Sequence, residues 1–491
     1  MFSHPAEYIS RAGDQKMFAR LRKARPSKLI RRKPDSNIKW RLSFMKKRSI
    51  KKVLALGLAG AMLCGMLTAC GGANGSSSAP SASSEGQAEP AAPETEKEKV
   101  VLWHLWTGVE AGYLDDAVAA YNAQSDKYYV EALSVPDSQK IMVAIQSGDG
   151  PDITDDFTNN IGAYASKGIM LPLDDYIAKN NTDLSDIIPS TLEACKYEGK
   201  TYALPAGMNL MALFYNKTLL AEAGYTEPPK TMEEMYEMAV NTTKLNPDGT
   251  IDVMGYPDFP SVYYTDNFAA ALGGGWYDEN GKPASPDNEG NLMALKYAVM
   301  YREKFGVENV AKFGSAGKYL DPTDPFLAGK QTFRVDGNWL GANINDTFKV
   351  DVDYGCTFIP YPEGHEELKG RGIASSSMFY IPSNSKNPDG AYDFLTFICG
   401  PEGTMLQSVS HGGFPSLLSQ LESDEFVNGS YNSDVFAELA ASPNLFALPN
   451  VPQSTEYNTI IKEEVELALN LKQTPEQALQ NIYDKGSELF K

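Results

Sequence analysis

The sequence predicts an α/β fold built as two lobes, and three observations predict it. Strand-like and helix-like segments alternate: "KVVLWHLW" (Lys99 to Trp106) is apolar, "YYVEALSV" (Tyr128 to Val135) alternates with period two, and "PDITDD" (Pro151 to Asp156) reads as a third strand. Between these strands, Leu114, Val118 and Tyr121 share one helical face, and Ile141 and Ile145 share another in a helix that stops at Gly148. The 392 residues from Val100 to Lys491 exceed the size at which one core keeps growing, so two cores are expected. In open α/β sheets ligands sit beyond the carboxyl ends of the strands. That rule directs attention to Trp106 through Glu110, in a stretch "TGVEAG" that reads as a loop, and to Asp155 through Asn159.

Ahead of this body the chain reads as a delivery segment. Residues 1–44 are basic and show no domain; they are expected to be a non-native or disordered extension, with translation starting at Met45 and a long signal n-region as the other option. A nucleic-acid-binding arm is a further reading of the Arg/Lys run, and export would remove it. Lys46, Lys47, Arg48, Lys51 and Lys52 precede the uncharged run Val53 to Ala69, too short for the about 20 apolar residues of a spanning helix. Residues 45–69 thus read as a signal peptide. Leu67-Thr68-Ala69-Cys70 resembles the bacterial lipobox, which implies cleavage before Cys70 and lipid on its thiol; a free cysteine in an uncleaved helix is the alternative. Two or more acyl chains would hold the protein on a membrane. Residues 70–99 are rich in Gly, Ser, Ala, Pro and Glu, too poor in apolar side chains to fold, and read as a disordered tether.

Removing residues 1–69 leaves 27 basic and 60 acidic residues, a net charge of about −33. A body of that charge repels nucleic acid and anionic lipid, so no nucleic-acid partner is expected. Cys195, Cys356 and Cys399 are too scattered for a disulfide framework or a metal site, and His104, His365 and His411 form no cluster; neither metal nor cofactor is expected.

Later segments carry their own start and stop signals. Thr231 with Glu234, and Thr474 with Gln477, are capping boxes, the second with Pro475 at the first helical position. Asn387-Pro388 opens a helix whose face is Ala391, Leu395 and Ile398. "NPDGT" (Asn246 to Thr250) and "DENGK" (Asp278 to Lys282) read as turns.

Several stretches then line up, in order, with one family. "AIQSGDGPDI" (Ala144 to Ile153), "YEGKTYALP" (Tyr197 to Pro205), "LFYNKTLLAEAGYTEPPKTMEEM" (Leu213 to Met235), "FLAGKQTFRVDGNW" (Phe326 to Trp339), "LPNVPQ" (Leu448 to Gln453) and "TPEQAL" (Thr474 to Leu479) resemble the extracellular solute-binding proteins of ABC sugar importers, the maltose-binding-protein-like group. The resemblance implies the two-lobe periplasmic-binding-protein-like fold, with a hinge and a ligand cleft between the lobes. Lobe one would be 100–208 with 373–422 and lobe two 212–368 with 426–491, with chain crossings near Ala206 to Ala212, Lys369 to Ile373 and Leu421 to Phe426. It implies a monomeric, lipid-anchored extracytoplasmic receptor that captures a sugar or oligosaccharide and hands it to ABC permease subunits.

Sugar clefts pair aromatic rings, which pack on C–H faces, with polar groups that bond hydroxyls. By position in the family pattern Trp339 matches a sugar-stacking Trp, Tyr263 falls near a stacking Tyr, Asn159 sits where the family has a ligand-binding Asp, Asn209 replaces a Glu and Lys462 an Arg. Asp156 and Asn458 stand where further stacking residues would be, and Ser261 where a Glu would be. Trp106, Glu110, Trp276 and Asp336 complete the expected set, with Trp276 evenly placed between site and core and Trp103 assigned to the core. Asp155 and Asp156 have a second reading as helix caps. They do not read as a glycosidase pair, because neighbours on a strand point to opposite faces. No Gly-x-Ser-x-Gly elbow or His-Glu-x-x-His helix occurs, so an enzyme is not expected. A receptor for a cationic or peptide solute is the alternative function.

Overall fold

The computed structural model describes residues 97–257, 262–429, 431–440 and 442–491. The N-terminal extension, the signal peptide, Cys70, the tether up to Glu96 and Ser261 lie outside the described residues. The strands of the two larger sheets are β1 (Glu98–His104), β2 (Tyr128–Ser134), β3 (Ile153–Phe157), β4 (Ala203–Asn209), β5 (Met211–Asn216), β6 (Phe333–Gly337), β7 (Tyr354–Thr357) and β8 (Ser375–Tyr380).

The first sheet has the order β2-β1-β3-β8-β4. Its first three strands are parallel, with Val100 opposite Val130 and Leu102 opposite Ile153. Strand β8 runs antiparallel to both neighbours, which places Ser377 opposite Phe157 and Ser375 opposite Asn209. The start of β8 therefore joins the carboxyl ends of β3 and β4 at one edge.

Both faces of this sheet are covered, as period-two alternation requires. On one side Val100, Leu102, Leu204 and Phe379 pack with α1 (Gly108–Gln124), through Leu114, Val118 and Tyr121. On the other, Met378 and Tyr380 pack with Ile141 and Ile145 of α2 (Ser138–Ser147). Helix α2 is capped by the Asp137 side chain and ends at Gly148, whose φ of 85° suits a residue without Cβ.

The chain leaves the first sheet through one residue, Leu210, and continues as β5. That strand is the centre of an antiparallel sheet ordered β6-β5-β7, with Val335 opposite Leu213 and Cys356 opposite Phe214. Leu213, Phe333 and Val335 face a core supplied by α3 (Met232–Thr242), α4 (Val262–Ala271), α5 (Glu289–Phe305), α6 (Ser454–Leu469) and α7 (Pro475–Leu489). The other face, with Ala212 and Phe214, packs on Phe326, Leu340, Phe436 and Leu439. Two sheets with separate cores make the α/β expectation good.

Local signals hold. Both capping boxes are formed, at Thr231/Glu234 and Thr474/Gln477. The turn at Asn246 closes with its N–H bonded to Thr250, and the turn at Asp278 closes with its N–H bonded to Lys282. Cys195, Cys356 and Cys399 are all free thiols. One element differs from expectation: "TGVEAG" is not a loop, because α1 starts at Gly108 with Thr107 in extended geometry at its N-cap. Glu110 thus stands in a first helical turn, where the dipole favours a carboxylate.

Candidate functional site

A cavity of about 480 Å³ lies where the two sheets meet, within the size of small-molecule sites. Its first wall is made of strand ends: Leu105, Trp106 and Thr107 after β1, Phe157 at the end of β3 and Asn159 just beyond it, Met208 and Asn209 closing β4, and Ser377 on β8. Asn209 donates from Nδ2 to Ser377 Oγ at 3.1 Å, so the β4–β8 register sets its direction. Phe157 is 42 % exposed, an apolar ring left open to the cavity. Trp106 packs on Phe379 with ring centroids 6.5 Å apart.

The second wall is assembled from more distant pieces: Met211 at the start of β5, Asp266 of α4, Tyr319, Trp339, Asn343 and Asn458 of α6. Trp339 donates from Nε1 to the Tyr319 hydroxyl at 2.7 Å, and that hydroxyl donates to Asp336 Oδ1 at 3.0 Å. Asp336 is fully buried and also accepts from Arg334 Nε at 3.1 Å and from the Gly337 N–H at 2.7 Å. Arg334 reaches Asp324 at 3.4 Å and lies 5.1 Å from the Tyr319 ring centre. Burial raises the Asp336 carboxyl, and the Arg334 charge pulls it back down. The indole also needs Gly337: a Cβ there would sit 2.2 Å from its Cη2 atom.

Helices and loops near the first sheet close the rim. Glu110 lines the cavity, and burial followed by the Asp336 charge pushes its carboxyl up to about 7. Tyr113, also on α1, stacks face to face on His411 with centroids 3.5 Å apart, and its hydroxyl shares a 2.7 Å hydrogen bond with Thr347 Oγ1. Burial lowers the His411 pKa, which favours the neutral ring. Gln407, Ser408 and Gly413 complete this side. Behind them the Leu210 N–H donates to Asn338 Oδ1 at 3.2 Å, and Asn338 Nδ2 donates to the Gly412 carbonyl at 3.2 Å.

Of the residues expected from sequence, Trp106, Glu110, Asn159, Asn209 and Trp339 line the cavity, as does Asn458. The others are placed elsewhere, each for a physical reason. Asp156 is buried and satisfied locally by the Phe157 N–H, Asn160 and the Tyr164 hydroxyl, so it shapes the turn that carries Asn159. Trp276 is 3 % exposed inside the second core. Asp336 lies behind the wall and acts through Tyr319. Lys462 is exposed on α6, next to buried Ile461. Tyr263 is in α4, and its side chain is not among those described. Sequence reasoning missed Tyr113, Tyr319, Asp266, Asn343, Gln407 and His411.

Comparisons with known proteins agree with this fold. The family model for bacterial extracellular solute-binding proteins matches residues 107–405. A maltotriose-binding protein of Pyrococcus abyssi is 26 % identical over 334 residues, covering 67 % of this chain and 69 % of that protein. A galactooligosaccharide-binding protein of Bacillus subtilis is 24 % identical over 390 residues, covering 77 % and 86 %. Among solved structures, the mannotriose-bound protein CpMnBP1 is 26 % identical with a TM-score of 0.73, covering 79 % of this chain and all of that one. Maltose-bound MalE3 of T. maritima, at 19 % identity and a TM-score of 0.66, shares the fold, covering 80 % of this chain and 99 % of its own. The chain belongs to the family of bacterial extracellular solute-binding proteins.

Proposed function

We propose that this protein captures a sugar or oligosaccharide outside the cytoplasm and delivers it to an ABC importer. The observation that carries the reading is the cleft itself: Trp339, held through its Nε1 by Tyr319, lines one cavity together with Trp106, Phe157, Asn159, Asn209 and Ser377. Aromatic platforms with a few convergent polar groups suit the two surfaces of a pyranose ring. The relatives named for maltotriose and galactooligosaccharide, and the structure holding mannotriose, support the same ligand class. The role is binding without catalysis. Cys70 would carry the lipid, and the two lobes would be 100–208 with 373–422 and 212–368 with 426–491, hinged at Leu210 and acting as a monomer.

Thermal shift of the full-length chain against maltotriose, mannotriose and galactooligosaccharides tests this, with polyamines and peptides as controls. A glycan at 100 times its Kd adds about 2.7 kcal/mol of stability and is recovered intact. A shift with polyamine or peptide alone, or hydrolysis of the sugar, overturns it.

A further inference from the structure

We propose that two side-chain latches, Tyr113 with Thr347 and Lys167 with Glu456, hold the cleft shut over its ligand and so set how fast the ligand leaves. This rests on the sugar-binding reading and adds to it what governs release.

Each latch joins the side of the first sheet to the side of the second. Tyr113 lies on α1 beside Leu114, which packs on the first sheet. Its hydroxyl shares a 2.7 Å hydrogen bond with Thr347 Oγ1, 234 positions along the chain. Thr347 belongs to a π-helix, Asn343–Phe348, whose Ile344 packs in one core with Phe214 of β5. Lys167 follows the short helix Ile161–Ala165, whose Ile161 and Tyr164 pack with Met378 and Tyr380 of β8. Its Nζ lies 2.6 Å from Glu456 Oε1 on α6, and the next residue, Tyr457, is buried in the core under the second sheet. Both latches adjoin the cavity: Tyr113 lines it, Asn343 of the same π-helix lines it, and so does Asn458, two positions after Glu456. Opening the cleft about Leu210 moves these partners apart.

The two latches yield differently. Tyr113 cannot follow a moving partner, because its ring lies flat on His411 with centroids 3.5 Å apart and planes 2° from parallel. Thr347 is short and β-branched, stiff at its first torsion. A side-chain hydrogen bond is gone beyond about 3.5 Å, so a displacement of about 1 Å breaks this latch. Lys167 and Glu456 are long and half-exposed, so their attraction follows the partner further. It is also screened by salt, whose Debye length falls from about 10 Å at 0.1 M to about 3 Å at 1 M. Capture starts from an open cleft in which neither bond exists, so the latches act on dissociation.

Stopped-flow kinetics of the full-length chain with mannotriose, maltotriose and galactooligosaccharides tests this. Thr347→Val should release glycan about three to ten times faster without slowing association, and Thr347→Ser should restore the slow release. Lys167→Met and Glu456→Gln should each speed release about twofold to fivefold, and the double variant no more than either alone. That gain should vanish at about 1 M salt, while the effect of Thr347→Val persists. Release unmoved in either Thr347→Val or Lys167→Met, slowed association in place of faster release, or a Lys167→Met effect that ignores salt overturns the inference and leaves sugar binding standing. A second readout needs no glycan: acrylamide quenching of tryptophan reports on Trp106 and Trp339, which line the cavity. In the free chain, Thr347→Val combined with Lys167→Met should raise the quenching. Silence with every glycan overturns the sugar reading, and unchanged quenching then overturns the latches as well.

Discussion

The two walls of the cleft are held in place by different physics. Trp106, Asn159, Asn209 and Ser377 stand at the ends of hydrogen-bonded strands, so the backbone register of the first sheet positions them. Trp339, Tyr319 and Asn343 stand on irregular or helical segments, and a side-chain network centred on buried Asp336 aims the indole. A wall built on register fails only when the sheet fails. A wall built on side-chain bonds can lose its aim while the fold survives.

Substitutions can break or sharpen that contrast. The largest effect is expected from Trp339→Ala, with glycan affinity falling about 100-fold in calorimetry, since a buried aromatic anchor carries about 2–4 kcal/mol. Gly337→Ala comes next. Its new Cβ would meet the indole at 2.2 Å, so affinity should fall nearly as far while circular dichroism stays native. Tyr319→Phe keeps the ring and removes the hydroxyl that bridges Trp339 to Asp336; about a tenfold loss is expected, with a shift in tryptophan emission. If Trp106→Ala unsettles the fold no more than these changes but costs more affinity, the contrast between the walls is broken.

Smaller effects come from pH and from a helix cap. Burial holds the carboxyls of Glu110 and Asp155 up at about 7, from 4.5 and 3.8. Groups raised in the folded state stabilise it fully below their unfolded pKa, and that contribution is lost as pH rises through 7. Melting temperature should therefore decline from pH 5 to 8, and Glu110→Gln should flatten the slope. Because Asp336 is the charge raising Glu110 and lies in the second wall's network, the two walls share this electrostatic link. Thr231→Ala removes one capping box whose residues do not line the cleft. It should cost about 1 kcal/mol in denaturant melts and leave affinity unchanged.

Much of the first wall was legible in the chain, because period-two alternation marks strands and the rule of carboxyl ends marks their sites. Both capping boxes were legible for the same reason, a local pattern with a local cause. The second wall was not. Tyr319 stands in an aperiodic stretch between a helix that ends at Gly314 and β6, and its hydrogen bonds across to Asp336 and Trp339 show its use. Asp156, Trp276 and Lys462 have residue types that suit a sugar site, yet local bonds satisfy the first, a core absorbs the second, and the third lies exposed one position after Ile461. Residue type names the chemistry available, and side-chain direction decides whether it is offered.

Asn338 and Trp339 are adjacent in the chain. One clasps the peptide of Leu210, where the strand leaves the first sheet for the second, and the other presents the aromatic face of the cleft. Loading of the cleft and the angle between the sheets are therefore read by neighbouring residues. Equilibrium linkage works in both directions. Any membrane partner that grips the protein better at one angle must change its hold on the ligand by the same factor that the ligand changes the grip. Uptake and hand-over become two readings of a single balance, and a variant at Asn338 would tilt both together.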